Sequence, residues 1–527
     1  MQTKARNEEQ GFSETGAKKH SLENQSTSKN LSRITTSTSE LPMSHKSDFK
    51  AVESLILAEI ESGKIPSVAF SIAKNGKIVH ENAFGWADKE QQIASTNGTP
   101  YPLASASKPI VATAMMMLHQ RGTVDIQAPA RHYASSWFSH QASASSHSDY
   151  SLRQLLNHTS GLGTYARIYW HDQDLPVQNL SDSFRKYGLV AQLPGTVFEY
   201  SNLGYGLIGH IIEEQTGTSL ADFLKAEIFE PLGMINSIMV DSFSSPIKVA
   251  KKYDASGLPL IETYNDTPGA GNMFASAHDL TLFGLFHLSN KAEDSLLILS
   301  RKNKLLMQSF VEPGARYSYY NSSHYGLGWY SRTNSDGKAI VWHEGGMPGA
   351  SAIIVLLPEQ DIVASVVINA TDANPQAQAF ANALIQVVEP TNHSVSFDAT
   401  EGFKRYTNQT ELLGRWEGRI TLDGNDLPWV LTFEPDGSLC AEFPQRTSGS
   451  LLPEQVKFPA LLNEDMLVAT FATTLPASDV AQIPNGYVLL RLLRQGDELS
   501  GAAIAYSSIH RLEHLLPFRC CLQRKTK

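Results

Sequence analysis

The chain has 527 residues, which exceeds a single hydrophobic core and predicts two or three domains. Hydrophobic residues make up 42% and charged residues 18%, excluding a wholly disordered chain, and a formal net charge of −10 gives no reason to expect a nucleic-acid partner. No apolar run is long enough for a membrane span, and three cysteines, Cys440, Cys520 and Cys521, are too few for a disulfide framework.

Residues 1–47 are rich in Ser, Thr, Asn and Lys and lack the apolar segment of a secretory signal. They read as a disordered tail, with Met43 an alternative start, and a cytoplasmic location follows by default. "FKAVESLILAEIESGK" carries helical spacing and ends at Gly63. Next, "SVAFSIAK" and "KIVHENAFGWAD" flank Asn75-Gly76, a two-residue hairpin signal. A mainly helical stretch runs from Leu103 to Ser335, and its polar loop holds His140 and His147, read as solvated side chains. "AIVWHEGG", "SAIIVLLP" and "DIVASVVINA" predict three more strands before the helical "NPQAQAFANALIQVVE". Residues 48–390 therefore predict an α/β domain, with an antiparallel sheet drawn from both ends, flanking helices and an inserted all-α lobe. Clefts between such lobes favour ligands. Residues 391–411 read as a linker, and short β-rich runs in 412–527 predict an antiparallel β-barrel.

Ser105 and Lys108 stand three apart in "LASASKPIVATAMMML". The Ser-x-x-Lys spelling also begins at Ser26, Ser47, Ser71, Ser183, Ser245 and Ser335, so context must choose. Ser71 lies in a strand, where third neighbours face apart, and Ser183 lies in a polar segment expected to be exposed. At Ser105 the pair would share one face of a helix start, fixed there by Pro109, ahead of an apolar helix. Burial would bring the lysine pKa toward a base's range, and the Ser105 N–H, lacking an intrahelical partner, could face an oxyanion. Taken alone, Ser105 reads equally as the cap of a core helix.

Tyr200 and Asn202 stand on a loop before the apolar helix "GYGLIGHIIEEQTG". A nearby ammonium would favour the Tyr200 phenolate, and Asn202 offers a donor and an acceptor to a substrate. The bland reading is a turn asparagine and a packing tyrosine. In "VWHEGGMPG", His343-Glu344-Gly345-Gly346 ends a strand. Gly346 could give a second oxyanion donor and His343 a cation or hydrogen-bond donor, although glycine-rich turns of this kind are common.

Together, Ser105-Ala-Ser-Lys108, Tyr200-Ser-Asn202 and His343-Glu-Gly345 resemble the serine β-lactamase and penicillin-binding-protein superfamily. The resemblance is to its class C-like branch of D-aminopeptidases, D,D-peptidases and carboxylesterases. "LLNHTSGL", "GAGNMFASAHDLTLFG" and "YGLGW" add to it, and it covers about Asp48 to Pro390. It implies a serine hydrolase in which Ser105 is acylated and Lys108 and Tyr200 share the proton transfers, either being the resting base. The oxyanion would lie between the backbone of Ser105 and Gly346, with substrate against Asn202, His343, Glu344 and Gly345. The substrate would be a small molecule or peptide, with no metal or organic cofactor and oligomeric state left open. His-Glu-Gly replaces the Lys-Thr-Gly of many relatives. If Glu344 faces the cleft it repels a substrate carboxylate, making β-lactamase activity weak at best; otherwise it turns away. The C-terminal domain loosely resembles the lipocalin-like modules of some D-aminopeptidases. The alternative function is a non-catalytic relative serving as a binding or scaffold protein.

Overall fold

The computed structural model describes residues 49–138, 149–172, 177–243, 247–289, 298–309, 316–317, 324–390, 403–422, 424–444, 455–477, 486–507 and 514–525. The expected N-terminal tail, most of the linker, His140 and His147 lie outside them.

An eight-stranded antiparallel sheet forms the frame of the first part of the chain. Its order is His324–Tyr325, Tyr330–Thr333, Ala339–Met347, Ala350–Leu357, Ile362–Ile368, Ser67–Lys74, Lys77–Asp88 and Ile93–Ala94. The strand Ser67–Lys74 pairs with Lys77–Asp88 across the Asn75-Gly76 turn, where both residues take the positive φ (54° and 72°) that such hairpins require. Its other edge pairs with Ile362–Ile368, from Val68 opposite Ile368 to Lys74 opposite Ile362. Helices cover both faces, so this strand is apolar on both. Val68, Phe70 and Ile72 pack with Val52 and Ile56 of the helix Phe49–Glu61 and with Phe380 and Leu384 of the helix Asn374–Val388. Ala69 and Ala73 face the inserted lobe, where the helix Ala277–Leu288 runs so close that a Cβ on Gly284 would lie 2.4 Å from Val363 Cγ1.

The lobe is mainly helical. Its central helix, Lys108–Gln120, is buried from Lys108 to Leu118, as an element apolar on all sides must be. Ser183 is also buried and donates to Asp266, contrary to the expectation that its segment is exposed. The helix Leu180–Tyr187 is amphipathic, and Ser183 falls on its inner face beside Phe184 and Tyr187. The lobe also carries short strands, among them Ala166–Trp170 and Thr263–Asn265, which pair antiparallel.

The C-terminal part is a closed eight-stranded antiparallel barrel: Gly414–Leu422, Asn425–Phe433, Ser438–Glu442, Gln455–Asn463, Met466–Ala472, Tyr487–Gln495, Glu498–Ser507 and His514–Arg524. The first and last strands close it, from Trp416 opposite Arg524 to Thr421 opposite Arg519. Trp416, Phe433, Phe458, Phe471, Leu490 and Leu522 are buried among its apolar side chains, which suits the narrow bore of eight strands. Lys404–Arg405, in the segment expected as linker, pairs with the fourth barrel strand. The sheet does not stop at the barrel. His514 and Leu515 pair with Arg167 and Ala166, so the last barrel strand continues into the lobe's strand Ala166–Trp170. Below that seam, Ala191 and Val197 of the lobe pack on Met466, Val468, Leu489, Leu493, Ala502 and Ile504 of the barrel.

Trp416 is fully buried and donates from Nε1 to the Leu412 carbonyl at 2.8 Å. Trp416→Ala is expected to cost about 3–5 kcal/mol in chemical denaturation, the usual loss for a buried aromatic truncated in a core.

Candidate active site

The chain enters the site from Tyr101–Pro102, and Leu103 N–H donates to the Met273 carbonyl at 2.8 Å. Ala104 then takes φ 47°, the left-handed region that a residue with a Cβ avoids. That turn sends the chain into the 3₁₀ segment Ala104–Ser107 and on into the helix starting at Lys108 and Pro109. Ser105 therefore stands, partly exposed, at the tip of a strand-to-helix elbow.

Lys108 is the centre of the site. Its side chain is buried, and Nζ lies 2.9 Å from Ser105 Oγ, 2.8 Å from Asn202 Oδ1 and 3.0 Å from the Ala270 carbonyl oxygen. Burial holds the amine well below the usual lysine range. The two carbonyl oxygens can only accept hydrogen bonds. A neutral amine gives one N–H to each and keeps its lone pair facing Ser105, whose hydroxyl can donate to it.

The partners of Lys108 are themselves fixed. Ser201 caps the helix Asn202–Thr216 by accepting from Gly204 N–H at 3.2 Å, which sets Asn202 at its first position. Asn202 donates from Nδ2 to the Tyr165 carbonyl at 2.8 Å. Its carbonyl serves Lys108 rather than a ligand, so the expectation that both ends of this amide are open to substrate is corrected. Ala270 comes from the short helix Pro268–Gly271, which follows the lobe strand Thr263–Asn265.

Tyr200 shares a hydrogen bond with Ser105, and Lys108 Nζ sits over its ring, 4.7 Å from the centroid. The expectation of a phenolate is not met. Burial, with a further push from the Glu344 charge, drives the Tyr200 pKa up, not down. The same loss of water that makes lysine give up its proton makes tyrosine keep its own.

The strand Ala339–Met347 forms the opposite wall. Its outer neighbour ends at Tyr330, opposite Trp342, so residues from His343 onward lie beyond that ladder. A Cβ on Gly345 would lie 1.9 Å from the Leu103 carbonyl oxygen, so only glycine allows the elbow to dock here. Gly346 is exposed. Of the two roles expected for His343, cation or hydrogen-bond donor, the ring fits the second. It is buried, with its pKa lowered to about 3 chiefly by desolvation. Its Nδ1–H donates to the Glu344 carbonyl at 2.7 Å, and Nε2 lies 3.0 Å from the Tyr325 hydroxyl. The Glu344 carboxylate is engaged by a neighbouring helix: Gln378 of the helix Asn374–Val388 donates to Oε2 at 2.6 Å. The carboxylate is thereby turned toward that helix, while its charge still reaches Tyr200.

Sequence reasoning missed His158, although "LLNHTSGL" contains it. His158 is buried at φ 59°, its ring 4.2 Å from that of Tyr200. Nδ1 accepts from Ser201 N–H at 3.0 Å, and burial holds its pKa well down. A histidine directly before Thr-Ser-Gly, inside a phrase already singled out, is the signal that could have found it. The Tyr165 and Ala270 carbonyls had no signal, because a backbone oxygen carries no residue type. Among the described residues no cluster of three His, Cys, Asp or Glu side chains could hold a metal ion, and no helix is long and apolar enough to cross a membrane.

A family model described as Beta-lactamase matches residues 52–388. "Protein flp" of Staphylococcus aureus (strain MRSA252) is 26% identical over 322 residues, 59% of this chain and 60% of that protein. The match thus spans about three-fifths of that curated relative. The octameric penicillin-binding protein homologue from Pyrococcus abyssi shares the fold over 90% of this chain and 100% of its own, at TM-score 0.55 and 21% identity. The D-amino acid amidase from Ochrobactrum anthropi SV3 shares it over 65% of this chain and 99% of its own, at TM-score 0.52 and 24% identity.

The neutral His343 has a consequence for stability. Unfolded, it binds a proton near pH 6.5; folded, it does so only near pH 3. Its contribution is complete above pH 6.5 and is lost as pH falls through that window, by up to about 1.4 kcal/mol per pH unit. Urea denaturation of His343→Gln between pH 7 and 5 should therefore show a shallower decline than wild type. Equal slopes would mean that the ring titrates normally.

Proposed function

The chain belongs to the β-lactamase family, and from that premise we propose that it is a serine hydrolase cleaving an ester, amide or small peptide bond through an acyl-enzyme on Ser105. The observation that carries this reading is the Lys108 amine, buried between two acceptor oxygens with its remaining valence toward the serine. Among the matched proteins are a D-amino acid amidase and EstCE1, a hydrolase, which supports hydrolysis without naming the substrate.

In the proposed reaction Ser105 Oγ attacks the substrate carbonyl carbon while its proton passes to Lys108 Nζ. The carbonyl electron pair moves onto oxygen and is received by the backbone N–H groups of Ser105 and Gly346. The proton then moves to the leaving group, through Tyr200, whose hydroxyl already bonds the serine and whose pKa keeps it protonated. The bond to the leaving group breaks as that proton arrives. Water then attacks the acyl carbon as Lys108 takes its proton, the bond to Ser105 Oγ breaks, that proton returns to Oγ, and the acid departs. Asn202 acts by holding Lys108, and Gly345 by admitting the elbow. Lys108 is the resting base in this scheme, because burial favours neutral amine and neutral phenol together.

A fluorophosphonate probe should label wild type and not Ser105→Ala. Absence of labelling at Ser105 would leave a binding role for the fold. With short p-nitrophenyl esters, kcat/KM should rise with pH to an inflection well below the ordinary lysine value. Lys108→Arg, which cannot deprotonate, should lose about 10²–10⁴-fold and show no such inflection.

The third motif also bears on substrate. His343 is neutral with Nδ1–H already engaged, and Glu344 adds negative potential near Tyr200, so this wall offers no cation to a β-lactam carboxylate. Nitrocefin turnover should fall about 100-fold or more below that of short esters. Comparable rates would contradict this account of the wall.

A further inference from the structure

A charged side chain of the barrel is buried one residue from the proposed relay. Arg491 stands on the barrel strand Tyr487–Gln495 between Leu489 and Leu493, both part of the apolar patch against the lobe. Its side chain is 2% exposed and that of Glu199 is 4% exposed. Nη1 donates to the Glu199 carboxylate and, at 2.7 Å, to Thr164 Oγ1. The same Glu199 oxygen accepts from Thr164 Oγ1 at 2.5 Å and from Thr164 N–H at 3.2 Å.

The two lobe residues in this knot each precede a site residue. Glu199 precedes Tyr200, and Thr164 precedes Tyr165, whose carbonyl holds Asn202 and through it Lys108. Glu199 N–H also donates to the His158 carbonyl at 2.8 Å, and Ser201 N–H donates to His158 Nδ1. The Tyr200 backbone is thus pinned on both sides, and the charge that neutralises the pin comes from the other end of the chain.

Stability alone is a poor reason for this arrangement. Burying a guanidinium and a carboxylate costs much of what their attraction returns, and apolar residues fill such sites as well. A guanidinium offers instead a rigid donor set that fixes where its partners sit. We infer that Arg491 is a positioning residue for the relay, setting Tyr200 through Glu199 and Asn202 through Thr164, so that the barrel is a working part of the active site. This inference rests on the serine-hydrolase reading above.

The test uses the full chain, with Arg491→Lys and the paired change Arg491→Met with Glu199→Gln, which leaves no lone buried charge. Fluorophosphonate labelling of Ser105 is timed across pH, and kcat and KM are measured with a p-nitrophenyl ester, beside thermal unfolding. The paired variant is expected to unfold cooperatively yet label about 10-fold or more slowly, the loss falling on kcat rather than KM. A misplaced relay loses this much without losing substrate. Arg491→Lys, keeping the charge but not the rigid guanidinium plane that holds Nη1 against both acceptors, should fall between the paired variant and wild type. Wild-type labelling by the folded paired variant overturns the inference and leaves the knot as domain glue. Should the paired variant not fold, Arg491→Lys decides: slowing of about threefold or more at an unchanged midpoint supports the inference, and wild-type labelling overturns it. Failure of wild type itself to label Ser105 would instead remove the hydrolase reading.

Discussion

Taking one amine out of water organises this molecule. Lys108 heads a helix with no polar face, so its nitrogen must find its partners inside the protein. It finds two carbonyl oxygens and a serine, contributed by three separated segments. Each partner needs support of its own: a capped helix start for Asn202, a short helix after a strand for Ala270, a strained elbow for Ser105. Desolvation then acts on the neighbours as well. It keeps Tyr200 protonated and leaves His158 and His343 neutral.

The strands and helices of the sheet domain were legible because their periodicities are strong. The Asn75-Gly76 turn, the Pro109 helix start and the turn between the last two long strands lie where local chemistry puts them. The barrel was legible as a rhythm of short strands, and its closure follows from pairing between strands about a hundred residues apart. In the site, residue types at fixed spacings were enough to bring Ser105, Lys108, Tyr200 and Asn202 together. Their charge states were not, since a string of letters gives proximity to an ammonium without giving burial. That gap is why Tyr200 came out neutral against expectation and why the choice between cation and hydrogen-bond donor at His343 stayed open. Ser183 illustrates the same limit, because a polar helix still turns one face inward.

Contacts that depend on backbone or on remote pairing left no trace in the sequence. The Ala270 oxygen and the Leu103 oxygen that excludes a side chain at Gly345 belong to no motif. Arg491 and Glu199 are 292 positions apart, in parts of the chain that read as separate domains. Their meeting follows from the way the barrel's outer wall lies on the lobe, which only the packed structure displays.

The seam between barrel and lobe bears on how the protein is made. The eighth barrel strand, His514–Arg524, supplies the hydrogen-bonding edge for Ala166–Trp170, directly after Tyr165. A ribosome releases Ala166–Trp170 long before its partner strand exists, and long-range pairing of this kind closes late in folding. The nascent polypeptide therefore carries an unfinished lobe through most of its synthesis. The Ala166–Trp170 edge gains its barrel partner only late, once His514–Arg524 has emerged.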